Sequence, residues 1–248
     1  MLNNLKRAKI KVIIEDKKME LPKEIRKNIE KHWEKAIEKT PNMWNGEITC
    51  VGDCEFEENE IVISCVKSDY AHYLYDERIG LPKEYACSNL SAGCLIETSD
   101  NYYIVGELAE DTSFPRCMQI PGGNADNSDI IDGEINIFNT IIRECKEEIN
   151  IDLQDNEQVQ QCEIKYIELP SENLHRYMIF AKGKIKMTST QMRKYYDEYV
   201  KSLKENNLEI EFGKIHFIKK GKTNEYLDKV DNPQREYLRN LLEEDSKN

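Results

Sequence analysis

The sequence predicts an α/β protein, and three observations carry that expectation. Short apolar, β-branched runs such as KIKVIIE (9–15), EIVISCV (60–66) and HRYMIFAKGKIK (175–186) have the length and composition of strands. Between them lie polar stretches with apolar residues at helical spacing, at 21–39, 136–149, 188–206 and 232–245. Hydrophobic residues make up 39% of the 248 and charged residues 33%, the balance of a globular chain with a very polar surface.

The elements follow in order. KIKVIIE opens as a strand. In the 21–39 segment Ile25, Ile29, Trp33 and Ile37 recur every four residues, which gives a helix one apolar face. Trp33 and Trp44 read as packing anchors. PNMWNGE (41–47) has the Pro, Asn and Gly of a turn. ITCVGDCEF (48–56) and EIVISCV read as paired strands, and SDYAHYLYDERIGLPKEY (68–85) as an aromatic-rich irregular stretch. The texture changes near residue 90, so the expected division is a small N-terminal α+β extension, 1–88, and a main domain, 89–248. LSAGCLIET (90–98) and the run ending in YIVGEL (103–108) flank a polar Ser-Asp-Asn turn, the pattern of a hairpin. RCMQIPGGN (116–124) is a strand entering a Pro-Gly-Gly turn. The polar loop NADNSDIIDGE (124–134) has no apolar period, and residues 124–133 are expected to be a mobile surface insertion. Strands at 161–170 and 175–186, a Ser/Thr-capped helix at 188–206, a strand at 213–220 and a helix at 232–245 with Pro233 in its first turn complete the chain.

Composition narrows the function classes. The formal net charge is −12, which disfavours long nucleic acids, since binding them depends on Lys and Arg neutralising phosphates. A small phosphorylated substrate remains open, because a divalent cation can supply local positive charge. The eight cysteines include no C-x-x-C pair and are scattered through apolar stretches, which suggests reduced, buried thiols and a cytoplasmic protein. Cys50 and Cys54 have the look of half a zinc site, but no second pair follows. The N-terminal residues lack the apolar region of a signal peptide, and no apolar run reaches the ~18 residues of a membrane span. Oligomeric state is not legible.

The chemistry gathers in RECKEEIN, residues 143–150. With Asn136 as N-cap, Ile137, Phe138, Ile141, Ile142, Cys145 and Ile149 form one apolar stripe. Glu144, Glu147 and Glu148 fall in a fan of about 100° beside it, because residues three and four apart are helix neighbours. Three carboxylates so close are either a solvated helix face or a group with a cation between them. Asn150 stands where a helix commonly ends in a left-handed residue.

The stretch PGG…GE…RECKEEINI resembles the box of the Nudix hydrolases, G-x5-E-x7-R-E-U-x-E-E-x-G-U with U apolar. Gly123 matches the first Gly, Arg143 and Glu144 the R-E, and Glu147 and Glu148 the E-E. Cys145 and Ile151 fill the apolar places, and Asn150 replaces the second Gly. Six extra residues separate Gly123 from Arg143, and eight residues lie between Glu134, the match for the first Glu, and Arg143, where the pattern has seven. Across most of the chain the order HWEKAIEKTPNMWNGEI, KSDYAHYL, extended box, YMIFAKGKIKMTSTQMRKYY is similar to the branch typified by the vertebrate UDP-glucose diphosphatase.

The resemblance implies an α/β/α sandwich with a mixed sheet. It also implies a Mg²⁺-dependent (or Mn²⁺-dependent) hydrolase of a nucleoside diphosphate-sugar. Glu144 and Glu148 would be the principal metal ligands, Glu147 a further or indirect one, and Gly122 or Gly123 would offer a backbone carbonyl. Arg143 would orient a carboxylate. Glu209 and Glu211 are candidates for the additional acid that many members use, with loop solvation as the alternative. Tyr70 and Tyr73, beside His72, are candidates for stacking on the base, with packing of the extension as the alternative. Lys182, Arg193 and Lys194 are candidate phosphate contacts, whereas His175 and His216 read as core or edge residues. Two alternatives stay open: another diphosphate substrate (ADP-ribose, a dinucleotide or a damaged nucleotide), and a non-catalytic nucleotide-sugar sensor.

Overall fold

A computed structural model of the chain describes residues 2–5, 9–170 and 176–247. The extension holds β1 (Leu2–Asn4), β2 (Lys9–Lys18), α1 (Lys23–Lys39), β3 (Glu47–Phe56), β4 (Glu60–Asp69) and α2 (Tyr70–Ile79). Next come β5 (Asn89–Glu97), β6 (Tyr102–Leu108), β7 (Met118–Gln119), β8 (Gly122–Asn124), β9 (Ile130–Ile131), β10 (Glu134–Ile135) and α3 (Ile137–Ile149). The chain finishes with β11 (Val159–Glu168), β12 (Arg176–Ile185), α4 (Ser189–Glu205), β13 (Phe212–Lys219), α5 (Thr223–Leu227) and α6 (Glu236–Ser246).

The organising strand is β5. All nine of its residues are buried, as expected of a strand covered on both faces. One edge pairs in parallel with β12 along its whole length, from Asn89↔Arg176 to Glu97↔Lys184. The other edge is shared in turn by β3 at Asn89, β8 at Ser91–Gly93 and β6 at Glu97. The described strands thereby join in one mixed sheet, with β12–β5 and β2–β4 parallel and the remaining pairs antiparallel.

Strand alternation sorts the core onto two faces. Leu90, Ala92, Cys94, Ile104, Ile179 and Ala181 point to a cluster closed by α3 and α4. Leu95, Tyr103, Val105, Met178 and Phe180 point to a second cluster, closed by Tyr237, Leu238, Leu241 and Leu242 of α6. Helix, sheet and helix make three layers, the α/β/α sandwich with mixed sheet. The N-terminal strands join the main sheet at three places: β1 along β11 (Leu2↔Glu168 to Asn4↔Tyr166), β3 at Cys50↔Asn89 and, through β10, β2 at Ile13↔Glu134. Among the described residues no helix is long and apolar enough to cross a membrane.

Four local expectations are corrected. Residues 70–79 form a helix, whose N-cap Asp69 accepts a hydrogen bond from the His72 N–H, with Gly80 at φ 84° ending it. The 90–108 hairpin closes with a single pair, Glu97↔Tyr103, after which β6 turns away to β13. Residues 124–135 are built in: Ala125 and Asp129 are buried, and β9 and β10 form a short hairpin on β2. Pro233 precedes α6 and accepts the Met118 N–H through its carbonyl, so the helix begins three residues later.

Candidate functional site

Helix α3 carries the glutamates because its ends and its stripe are both fixed. The Asn136 side-chain oxygen accepts the N–H groups of Phe138 (3.1 Å) and Asn139 (3.3 Å), and Asn150 ends the helix in the left-handed region at φ 56°. Burial of Ile137, Ile141, Cys145 and Ile149 seats that face on the sheet. Glu144 and Glu148, one turn apart beside the stripe, are therefore carried inward, to 8% and 3% exposure. Glu147, on the outer side, keeps 63% of its side chain exposed.

The glycines of β8 complete the pocket for these carboxylates. The Gly122 N–H donates to Glu148 Oε2 at 2.7 Å. A Cβ on Gly122 would stand 2.4 Å from the Ala92 carbonyl oxygen of β5, so a side chain here would push β8 off the sheet. A Cβ on Gly123 would collide with the Glu144 carboxyl. Only glycine lets backbone and carboxylate come this close.

Arg143 orients the cluster from the side. It donates to Glu144 Oε1 (2.6 Å), Asp129 Oδ2 (3.1 Å) and the Asn124 carbonyl (3.2 Å), and lies 3.6 Å from both Glu147 and Asp126. Asp129 also accepts from the Thr140 hydroxyl at 2.8 Å. Glu134 does not reach Arg143; it pairs with Lys11 of β2 at 2.9 Å. The acidic partners of Arg143 outside the helix are thus Asp129, hydrogen-bonded to it, and Asp126, both in the inserted segment.

The electrostatics is that of negative groups short of a cation. Burial, with Glu211 and Glu147 adding repulsion against the pull of Arg143, pushes Glu144 up to about 7. Burial, then the Glu211 and Glu144 carboxylates, push Glu148 well above the usual range. Burial likewise raises Glu211, whose carboxyl lies within hydrogen-bonding reach of Glu148 although the residue opens to solvent along the cleft. Glu148 Oε1 is buried without a donor among the described residues. A buried carboxylate oxygen facing a second carboxylate costs free energy unless a proton or a metal ion comes between them.

Of the helix glutamates Glu144 opens to a cleft of ≈ 500 Å³, whereas Glu148, which was expected to open to it, is buried and outside its lining. Glu144, Glu209, Glu211 and Asp126 line its acidic end, and Tyr70, Tyr73, Trp44 and Phe114 an aromatic part contributed largely by the extension. Arg176 and Arg235 also line it. Arg176 is 5% exposed, lies 5.2 Å over the Tyr237 ring, and donates to Glu236 at 3.0 Å. Arg235 lies 4.2 Å over Phe114 and pairs with Glu77 at 3.0 Å.

Several sequence expectations land elsewhere. Lys182 is buried between Glu97 (2.8 Å) and Asp245 (2.7 Å), away from the cleft. Arg193 stacks over Phe217, and neither it nor Lys194 lines the cleft. His72 is fully buried, and His216 donates or accepts between Tyr226 and Glu107 inside the fold. His175 lies outside the described residues. Trp33 is half-buried and packs edge-on against Tyr70, whereas Trp44 is 77% exposed at the cleft. Tyr70 and Tyr73 line the cleft and also pack with Ile48, Cys50 and Val66 under the extension, so both readings of them describe real contacts. Sequence reading missed Asp129, Arg176, Arg235 and the exposure of Trp44. Only Asp129 had a signal, its place in an Asp-rich segment just before the helix.

No family model matches the chain, and no curated protein matches it. Among solved structures, a protein of Deinococcus radiodurans is 10% identical, with a TM-score of 0.46, over 80% of this chain and 98% of its own. A Nudix hydrolase of Nitrosomonas europaea is 13% identical, with a TM-score of 0.38, over 64% of this chain and 88% of its own. A C. elegans Ap4A hydrolase is 15% identical, with a TM-score of 0.40, over 64% of this chain and 96% of its own.

Proposed function

We propose that the chain is a Nudix-type hydrolase that cleaves a nucleoside diphosphate joined to a second group. The preferred substrate is a nucleoside diphosphate-sugar such as UDP-glucose, yielding nucleoside monophosphate and sugar 1-phosphate. The observation that carries this reading is the crowding of Glu144, Glu148 and Glu211 around an unpartnered buried oxygen, Glu148 Oε1, beside two glycines. Three anionic oxygens donors in a glycine-walled recess fit a small hard cation, Mg²⁺ first and Mn²⁺ second.

Glu144, Glu148 and Glu211 would hold the ion, with Glu147 and the Gly123 carbonyl as further ligands. Bound there, the cation would neutralise phosphate charge and make a coordinated water more acidic. The chain's own residues do the rest. Arg143, tied to Asp129, holds the Glu144 carboxylate in one orientation. The Gly122 N–H fixes one oxygen of Glu148 and leaves the other for the ion. Glu209 or Glu211, both lining the cleft, would take a proton from the attacking water. The aromatic part, Tyr70, Tyr73 and Trp44, offers ring faces to a base.

The test is a panel of diphosphates incubated with purified protein and Mg²⁺, with products separated by chromatography. UMP and glucose 1-phosphate from UDP-glucose, absent in EDTA, is the expected result. Faster cleavage of ADP-ribose or a dinucleotide would move the substrate within the same chemistry. Tight binding of UDP-glucose without turnover of any diphosphate would make the protein a sensor and overturn the proposal.

A further inference from the structure

We propose that Cys50, His72 and Cys87 form a second metal site, which takes one Zn²⁺ ion and fastens the extension to the main sheet. One ligand atom from each of the three lies within 4.8 Å of the others. All three residues are buried, at 1%, 0% and 1% exposure. They come from three segments: Cys50 from β3, His72 from α2, and Cys87 from the chain two residues before β5. The site does not depend on the proposed activity, and no residue of it belongs to the glutamate cluster.

The donor set suits zinc. In a tetrahedral zinc site with Zn–S near 2.3 Å and Zn–N near 2.0–2.1 Å, ligand atoms stand about 3.4–3.8 Å apart. The Cys50 and Cys87 sulfurs are 2.7 Å apart, closer than two unbonded thiols rest, so a central ion would part them by about an ångström. His72 is already held on both sides. Its Nδ1 is 2.7 Å from Ser68 Oγ, and its Nε2 is 2.8 Å from the Tyr85 carbonyl oxygen. Whichever nitrogen takes the ion exchanges one neutral hydrogen bond for a coordinate bond. The other partner then fixes the ring from behind, as in metal-bound histidines generally. Cys87 is pinned as well, its N–H donating to Asp76 Oδ2 at 2.8 Å.

Charge decides which ion. Binding runs as Zn²⁺ + 2 Cys–SH + His → Zn(Cys–S⁻)₂(His) + 2 H⁺. Two thiolates and Zn²⁺ leave no net charge in the buried site, whereas Cu⁺ would leave one uncompensated negative charge. Mg²⁺, which prefers oxygen, is excluded by the sulfurs. The two candidate sites thus sort their metals by ligand softness. The place of the zinc gives its role. The single pair Cys50↔Asn89 joins β3 to β5, and α2 carries Tyr70 and Tyr73 to the cleft on either side of His72. An ion at this joint holds the aromatic wall against the sheet without touching substrate.

The experiment uses the full chain, reduced and stripped of metal, then given Zn²⁺ with excess Mg²⁺ so that the oxygen site is filled. After desalting, one zinc per chain by atomic emission is expected, with two protons released per zinc in weak buffer and a higher melting temperature. Co²⁺ in place of Zn²⁺ should show a sulfur-to-cobalt charge-transfer band. Cys50→Ser and Cys87→Ser should each lose the zinc, and Cys54→Ser should keep it. If a serine variant fails to fold, the proton count and cobalt spectrum of the wild type decide alone. Three results would overturn the proposal: no retained zinc, zinc retained without proton release, or a Cys50–Cys87 disulfide (the chain lighter by two hydrogens) that excludes the ion.

Discussion

Replacing Glu144 by Gln should stabilise the metal-free protein while abolishing the proposed diphosphate hydrolysis. The side chain keeps its size, and its amide oxygen can still accept from Arg143. What it loses is a charge that burial and the Glu211 and Glu147 carboxylates oppose, and that raises the Glu144 carboxyl from 4.5 to about 7. At ~1.4 kcal/mol per pKa unit, the fold carries a penalty of about 3 kcal/mol when Glu144 is ionised. The sign follows from the raised value: the penalty is absent below the unfolded carboxylate range near 4.5, grows as pH rises, and is complete above about 7. In EDTA at pH 8, Glu144→Gln should therefore be more stable by about 2 to 3 kcal/mol, or roughly 10 °C in melting temperature for a chain of this size. At pH 5 the difference should nearly vanish. With Mg²⁺ the order should reverse, since the ion stabilises only the chain that binds it well. Turnover should fall by about 10²–10³, the usual cost of one electrostatic group in a catalytic site. Thermal melts from pH 5 to 8.5 in EDTA and in Mg²⁺, alongside diphosphate turnover, make the test. A variant that melts below wild type in EDTA at pH 8, or a difference that ignores pH, would refute the account of a cation-deficient cluster.

Asp129→Ala should cost about 2–3 kcal/mol in urea unfolding, because Arg143 and the Thr140 hydroxyl both lose a buried partner, and turnover should fall with it. Asp245→Asn should cost about 3 kcal/mol at neutral pH, since Lys182, Tyr103, Tyr166 and Lys165 all donate to this carboxylate. Despite burial, those donors hold Asp245 well below the usual carboxylate range. Its stabilisation is present above pH ~4 and is lost as pH falls below, so wild type and variant should converge in acid melts. Trp44→Ala, at an exposed position, should change stability by less than ~0.5 kcal/mol. If it covers the base, KM should rise roughly tenfold with kcat little changed, as one lost stacking contact of about 1–2 kcal/mol implies.

How legible an element was depended on whether it has one buried side or two. Helix α3 has one, so its stripe, its Asn136 cap and its Asn150 terminus could all be read from spacing. Helix α2 is covered almost all round: Ala71, His72, Tyr73, Leu74 and Asp76 are buried, and no 3.6-residue period survives. Its only local signals are Asp69 before it and Gly80 after it. The glutamates of the site were legible because three of them share one helix turn. Arg176 and Arg235 are distant in sequence and meet only because β12 and α6 begin at the same end of the sheet, where Arg176 donates to Glu236. Nothing in either local sequence separates them from surface arginines.

The inserted segment shows how a departure from a pattern can keep its physics. The pattern supplies a carboxylate from the chain just ahead of the helix, and Glu134 is the residue that spacing offers. Glu134 instead faces Lys11, because β10 pairs with β2 and turns that side chain toward the extension. The longer path gives the chain another acid. Residues 127–129 form one turn of 3-10 helix, and Asp129, its last residue, meets Arg143 and Thr140. The same segment therefore makes two connections, β10 to β2 and Asp129 to α3. A loop serving only as surface would have left Arg143 with its intrahelical partners alone, and Glu144 would then follow a freely turning guanidinium. With Asp129 buried at 2% exposure, the guanidinium is fixed on the side away from the cleft, so that Glu144 is oriented by a group that is itself held in place.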